Sequence, residues 1–249
     1  LMSLLLSGCN WIMLVSQSDN GSAGDASSWG AAISGDGRYI AFTSQSTNLV
    51  PGDVNDLSDI FVYDTLEGAI ELVSKDSAAV FGDLLSDEAS ISDDGRFIAF
   101  TSYSTNLVSF DTNNASDVFV HDRETGITTR VSVDDNGAEG LDDSRTPAIS
   151  GDGRFVAFVS DATNLVPGDT NQDPDVFLHD RQTGITTRES LDSAGNQLLG
   201  YSVDPPRSTD GSFLAFTNKS GLYTDVYLRD RVAGTTRLIS KNTAGEEGN

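Results

Sequence analysis

The chain of 249 residues has a single cysteine, Cys9, and only two histidines, His121 and His179. One cysteine excludes an internal disulfide, and no Cys/His cluster has the spacing of a structural zinc site. Basic residues are also scarce: 15 Lys and Arg stand against 38 Asp and Glu, for a formal net charge of -23. A chain of that charge repels nucleic-acid phosphates and anionic lipid headgroups and attracts cations, so nucleic acid is excluded as a partner. No long 3.6-residue apolar periodicity occurs, which leaves no helix to predict. A Gly-x-Ser-x-Gly elbow and a His-Glu-x-x-His stretch are both missing. With so few histidines, a Ser-His-Asp site has little support.

What is present is a repeat. The stretch SGDGRYIAF at 34–42 returns as SDDGRFIAF at 92–100, SGDGRFVAF at 150–158 and STDGSFLAF at 208–216, each 58 residues after the last. Laid out at that period, the chain shows units at about 31–74, 89–132, 147–190 and 205–240, followed by a tail or the start of another unit at 242–249. Four strands are predicted per unit. The first ends at Ser34, Ser92, Ser150 or Ser208, the last of these in Pro206–Ser208. An Asp-Gly pair follows (Asp36-Gly37, Asp94-Gly95, Asp152-Gly153, Asp210-Gly211), the signal of a tight primed hairpin turn. The second strand (RYIAFTS) and third (DIFVYD) are apolar on both alternating faces, so both faces must be covered. With no helix to cover them, other sheets must do so, and the expected fold is an all-β propeller of four-stranded antiparallel blades, with a linear solenoid as the second option. A further copy of strand four is expected over Ile12–Ser16, which would bring the count to seventeen. That count fits either an arc of a larger ring or a four-bladed unit with one extra strand.

The pattern IS-x-DGR-[YF]-[IV]-AF-x-S, followed by D-[IV]-F-[VL]-x-D and a TTR-V-S strand, resembles the WD40-like repeats of the TolB-type β-propeller. The inserted TNLVPGD resembles a variant found in secreted bacterial and archaeal proteins. The resemblance covers residues 11–241. It implies a propeller and leaves activity open, because the family includes propellers that assemble envelope complexes and propellers that gate a separate peptidase domain. Residues 1–9, LMSLLLSGC, resemble the end of a lipoprotein signal segment in which Cys9 would be lipidated; otherwise Cys9 is a small buried hydrophobe. Membrane contact is expected only through such an anchor, and the location is expected to be extracytoplasmic: periplasmic, cell-surface or secreted.

Residues that recur in every unit are best explained by turns and packing. Asp64, Asp122, Asp180 and Asp230 precede Gly-closed turns, where a carboxylate accepts backbone N–H groups. Asp59, Asp117, Asp175 and Asp225 open strand three and are read the same way. Three units carry an insertion with Asp-x-Asn: Asp53 with Asn55, Asp111 with Asn113, and Asp169 with Asn171. Oxygen donors at that spacing are the start of a calcium loop, although the glycine expected at the sixth position is replaced by Ser58, Ser116 or Pro174. The competing reading is Asx capping of a long loop. His121 and His179 share one repeat position with Tyr63 and Arg229, which points to a partly exposed slot of loose specificity. The leading functional reading is a noncatalytic scaffold that binds a protein or glycan through variable loops, with Trp29, Phe81 and Tyr201 either making contact or plugging blade junctions. The alternative is a glycoside- or peptide-processing enzyme, or the accessory propeller of one; paired acids for glycoside hydrolysis are a matter of structure.

Overall fold

A computed structural model describes residues 12–203 and 210–241. Cys9 and Pro206–Ser208 lie outside the described residues. The described chain forms four antiparallel four-stranded sheets, each in chain order. Blade one comprises β1 (Ser28–Ile33), β2 (Tyr39–Ser44), β3 (Asp59–Asp64) and β4 (Ile70–Leu72). Blade two comprises β5 (Ser86–Ile91), β6 (Phe97–Ser102), β7 (Asp117–Asp122) and β8 (Ile127–Arg130). Blade three comprises β9 (Ser144–Ile149), β10 (Phe155–Ser160), β11 (Asp175–Asp180) and β12 (Ile185–Arg188). Blade four comprises β13 (Tyr201–Val203), β14 (Phe213–Ser220), β15 (Tyr223–Asp230) and β16 (Thr235–Leu238). The strand expected over Ile12–Ser16 does not form; that region makes only an isolated bridge, Gln17 with Ala23. A fourth strand needs a third to pair with, and no described strand flanks this one.

Every residue of β3, β7 and β11 is buried, as two-faced apolar strands require. Their covering is the neighbouring blade. Ala41, Ile60 and Val62 of blade one meet Ile98, Phe100 and Phe119 of blade two, and the same arrangement joins blades two and three and blades three and four. Within each blade one aromatic pair stacks across strands two and three, Phe100 on Phe119 at 5.9 Å between centroids, for example.

The Asp-Gly turn differs from expectation. Gly37 N–H donates to the Ser34 carbonyl at 2.9 Å, and only the glycine, not Asp36, has positive φ. Glycine therefore ends a four-residue turn instead of filling the centre of a primed one. Asp36 organises the turn, accepting from the Ser34 hydroxyl and the Arg38 N–H at 2.6 and 2.9 Å. The reason for glycine lies partly in the adjacent blade. A Cβ on Gly153 would come within 2.1 Å of the Phe97 ring, and one on Gly95 equally close to Tyr39. Arg181 lies over the same Phe97 ring, 4.4 Å from its centroid, and donates to the Gly153 carbonyl at 2.5 Å. Each of the first three blades is thus keyed to the next by an aromatic, a glycine and an arginine.

Candidate functional site

In the first three blades strands two and three are joined by a long insertion, whereas in blade four a two-residue turn, Gly221-Leu222, joins β14 directly to β15. The insertion turns back on its own asparagine. Asn113 Oδ1 accepts the Ala115 N–H at 3.0 Å, while its amide donates to the Gly140 carbonyl at 2.8 Å and to Asp117 at 3.2 Å. Asn55 and Asn171 repeat the turn and reach Gly82 and Leu198. The carboxylate at the head of the loop folds inward beside the aspartate that opens strand three, so the loop brings Asp53 near Asp59, Asp111 near Asp117 and Asp169 near Asp175. In these three blades the strand-opening aspartates are fully buried and accept a serine hydroxyl from two residues beyond strand four, Ser74, Ser132 or Ser190.

What stands opposite each acid pair differs from blade to blade. In blade two Asp111, Asp117 and Glu139 hold ligand oxygens within 4.8 Å of one another, a donor set able to coordinate a divalent cation. The Arg130 guanidinium stands among them, its Nη1 at 2.7 Å from Glu139, 3.1 Å from Asp117 and 3.6 Å from Asp111. Burial, and then the Asp117 charge, push the Asp111 carboxyl up to about 6. For Glu139 burial acts upward too, but Thr112 and Arg130 outweigh it and hold the carboxyl below its ordinary value. In blade three Arg188 sits 3.2 Å from Asp169 and 3.5 Å from Asp175, and Gln197 donates to both at 3.2 Å. Blade one has neither partner. Its counterparts of Arg130 and Glu139, 58 residues earlier, are Leu72 and Phe81. Asp53 is 5% exposed, and its Oδ1 has no hydrogen-bond partner. Burial pushes both carboxyls up, Asp59 to about 6.

The other sequence candidates lie apart. Trp29 is 39% exposed on β1, and its indole N–H donates to Asp87 of β5 at 3.0 Å, which links two blades. Phe81 is half-buried against the blade-one core beside Gly52, the residue before Asp53. Tyr201 is 38% exposed on β13 beneath the Lys219 ammonium. No site gathers the three. The expected open slot at the histidines is closed: His121 and His179 are buried. Their Nδ1 atoms lie 2.9 Å from the hydroxyls of Thr128 and Thr186, which donate to the Lys75 and Val133 carbonyls. Each ring therefore donates from Nδ1. Burial pushes both imidazoles down, His121 to about 4, so they are neutral at pH 7. The strand-three terminal aspartates make the expected turn bonds, Asp122 to the Glu124 N–H and Asp180 to the Gln182 N–H, both at 3.0 Å. An arginine from the DGR turn adds to them unexpectedly: Arg96 and Arg154 grip those carboxylates in two-toothed pairs.

Sequence reasoning missed Arg130, Glu139, Arg188 and Gln197. The signal was available in the period: of the three units with an Asp-x-Asn insertion, two carry arginine at one repeat position (Arg130, Arg188) and a polar partner at another (Glu139, Gln197), where the first has Leu72 and Phe81.

No family model and no curated protein matches this chain. Solved structures do match in fold. TolB from Acinetobacter baumannii is 19% identical, with a TM-score of 0.56 over 89% of this chain and 45% of its own. A putative TolB from Agrobacterium tumefaciens is 18% identical, with a TM-score of 0.55 over 84% of this chain and 63% of its own. The β-propeller domain of the Trilobed protease from Pyrococcus furiosus is 13% identical, with a TM-score of 0.53 over 86% of this chain and 57% of its own. The fold is that of a TolB-like propeller, and the chain spans about half to two thirds of the length of these relatives. Among the described residues no helix is long and apolar enough to cross a membrane.

Proposed function

We propose that this chain is the recognition propeller of a larger extracytoplasmic protein that processes peptides or glycans, and that it holds the substrate chain without carrying out the chemistry. The observation behind this reading is internal. The recurrent ionisable side chains are committed to tying together the strands and loops of their own blade: Arg96 to Asp122, Arg130 to its three acids, the histidines to threonine. The variable linkers between blades pack beside the insertion loops, as when Thr112 of the insertion donates its N–H to Glu139 of the linker. Variable loops on a rigid array are where recognition is ordinarily placed. The likeness to a protease's propeller domain supports the accessory role, and the TNLVPGD-bearing repeats point to a secreted protein, with Cys9 as the anchor if it is lipidated. The likeness to TolB favours a second reading, a free-standing envelope scaffold that binds a folded protein. Binding the purified chain to peptide and glycan arrays, with hydrolysis and lyase assays in parallel, separates these. Saturable binding of an extended peptide or glycan without turnover is the expected result. Binding of a folded protein alone supports the scaffold, and turnover by the isolated chain makes it an enzyme.

A further inference from the structure

We infer that blade one binds a divalent cation, calcium by the chemistry of its donors, between Asp53 and Asp59, at the place that blades two and three fill with an arginine guanidinium. The inference goes beyond the recognition role and does not depend on it.

The three blades amount to an experiment on one loop. In each, a loop aspartate and a strand-opening aspartate are buried side by side. Blades two and three bring a cation to that pair, and its second nitrogen takes a backbone carbonyl of the same loop: Arg130 Nη2 donates to Phe110 and Arg188 Nη2 to Gly168, both at 3.2 Å. A cation with two carboxylates and a carbonyl around it is therefore the common state of this loop. Blade one keeps both carboxylates and has Gly52 at the position of Phe110 and Gly168, but places Leu72 where the arginine would start. Leu72 is buried, pairs with Phe61 as Arg130 pairs with Phe119, and brings no charge.

Left as protein alone, this pair is the worst neutralised of the three. Asp59 spends one oxygen on the Ser74 hydroxyl at 2.6 Å and receives the Asn55 amide on the other at 3.2 Å. Asp53 Oδ1 receives nothing. A buried carboxylate oxygen without a donor is costly, and two adjacent buried negative charges call for two positive ones. Divalent charge balances the pair, and hard oxygen donors with room for water suit calcium over zinc. Gly52 and Val54, on either side of Asp53, are exposed, so an ion can enter from solvent and keep part of its hydration. Blade two's three-acid cluster is the weaker candidate, because its own guanidinium already stands there.

The test is calcium titration of the chelator-stripped chain by calorimetry, in about 0.15 M salt to suppress loose binding to the acidic surface. About one ion per chain is expected. Asp53→Asn and Leu72→Arg should each weaken that binding by about tenfold or more, the first by removing the unpaired ligand and the second by supplying the guanidinium of the other blades. The reciprocal pair in blade two, Arg130→Leu with Glu139→Phe, should raise the count to about two. Circular dichroism identifies the folded variants to be compared. The inference is overturned if the wild-type chain shows no saturable site, if it shows only weak salt-sensitive uptake of several ions, or if folded Asp53→Asn and Leu72→Arg chains bind as the wild type does. A folded blade-two variant that gains no ion counts against the equivalence of guanidinium and metal.

Discussion

Phe158 and Gly153 show two ways in which one residue holds blades together. Phe158 is fully buried, stacks on Phe177 at 5.9 Å and packs into the cluster between blades two and three. Truncation to alanine should cost about 3 to 5 kcal/mol, because the cavity lies between rigid sheets that close poorly. Gly153 acts through space it leaves free. Its φ is +72°, and an added methyl would enter the Phe97 ring. Gly153→Ala should therefore lose about 2 to 4 kcal/mol, the sum of left-handed strain and overpacking. Gly126 has the same φ with nothing within 4 Å, so Gly126→Ala should cost only about 1 kcal/mol. Urea melts of the three variants check all three figures, and equal losses at the two glycines would remove the interblade explanation.

At the scale of the element, the insertion between strands two and three is where the blades diverge. Its asparagine turns and its reach to the next linker are common to all three copies, while its counter-charge is not. Arg130 neutralises a group that would otherwise hold three buried or half-buried carboxylates. Arg130→Met should destabilise the chain by about 3 to 5 kcal/mol in chelator at pH 7, since removing one partner leaves buried charge uncompensated. Replacing Glu139 by Gln in the same chain, which copies blade three, should restore part of the loss. A double-mutant cycle by chemical denaturation measures that coupling, and additive losses would mean the pair does not act as a unit.

For the whole molecule, the two sets of aspartates set opposite pH limits. Asp175 is pushed from an ordinary 3.8 to about 6 by burial first, with Asp169 adding to it and Ser190, Arg188 and Asn171 opposing. Asp111 stands at about 6, with Asp117, Glu139, Asp83 and Arg130 around it. A raised carboxyl means that the folded chain binds more protons than the unfolded one between about pH 4 and 6, so stability falls as pH rises through that window. Asp64, Asp122 and Asp180 are held low by their arginines, Asp64 at about 2. Their contribution is present above the unfolded value and lost as pH falls toward the folded one. The denaturation midpoint in chelator should therefore peak at about pH 4 to 5 and decline toward both 2 and 7. The charge of -23 also favours lower pH through relief of repulsion, but that part is screened by salt, whereas the buried part persists in about 0.5 M NaCl. A profile that is flat from pH 4 to 7 in salt would show that those acids do not titrate as their burial requires.

The sequence by itself determined the repeat, the strands and the all-β propeller, because strand signals are local: alternation of side chains, the Asp-Gly pairs and two-faced apolar runs act over a few residues, and four copies agree. It also marked Asp53, Asp111 and Asp169 as a set. Only the tertiary structure decided what each acid meets. Leu72 and Arg130 occupy the same position in the repeat, yet whether that position faces the loop carboxylates depends on the register of strand four against strand three, which pairs Leu72 with Phe61 and Arg130 with Phe119. The burial of the histidines is hidden from the sequence for a similar reason, since their cover is a threonine one strand away held by a carbonyl from the preceding linker. Strands are written in neighbours along the chain, whereas charge balance is written in neighbours across it. The folding of the sheets decides which buried carboxylate finds a guanidinium and which is left facing leucine.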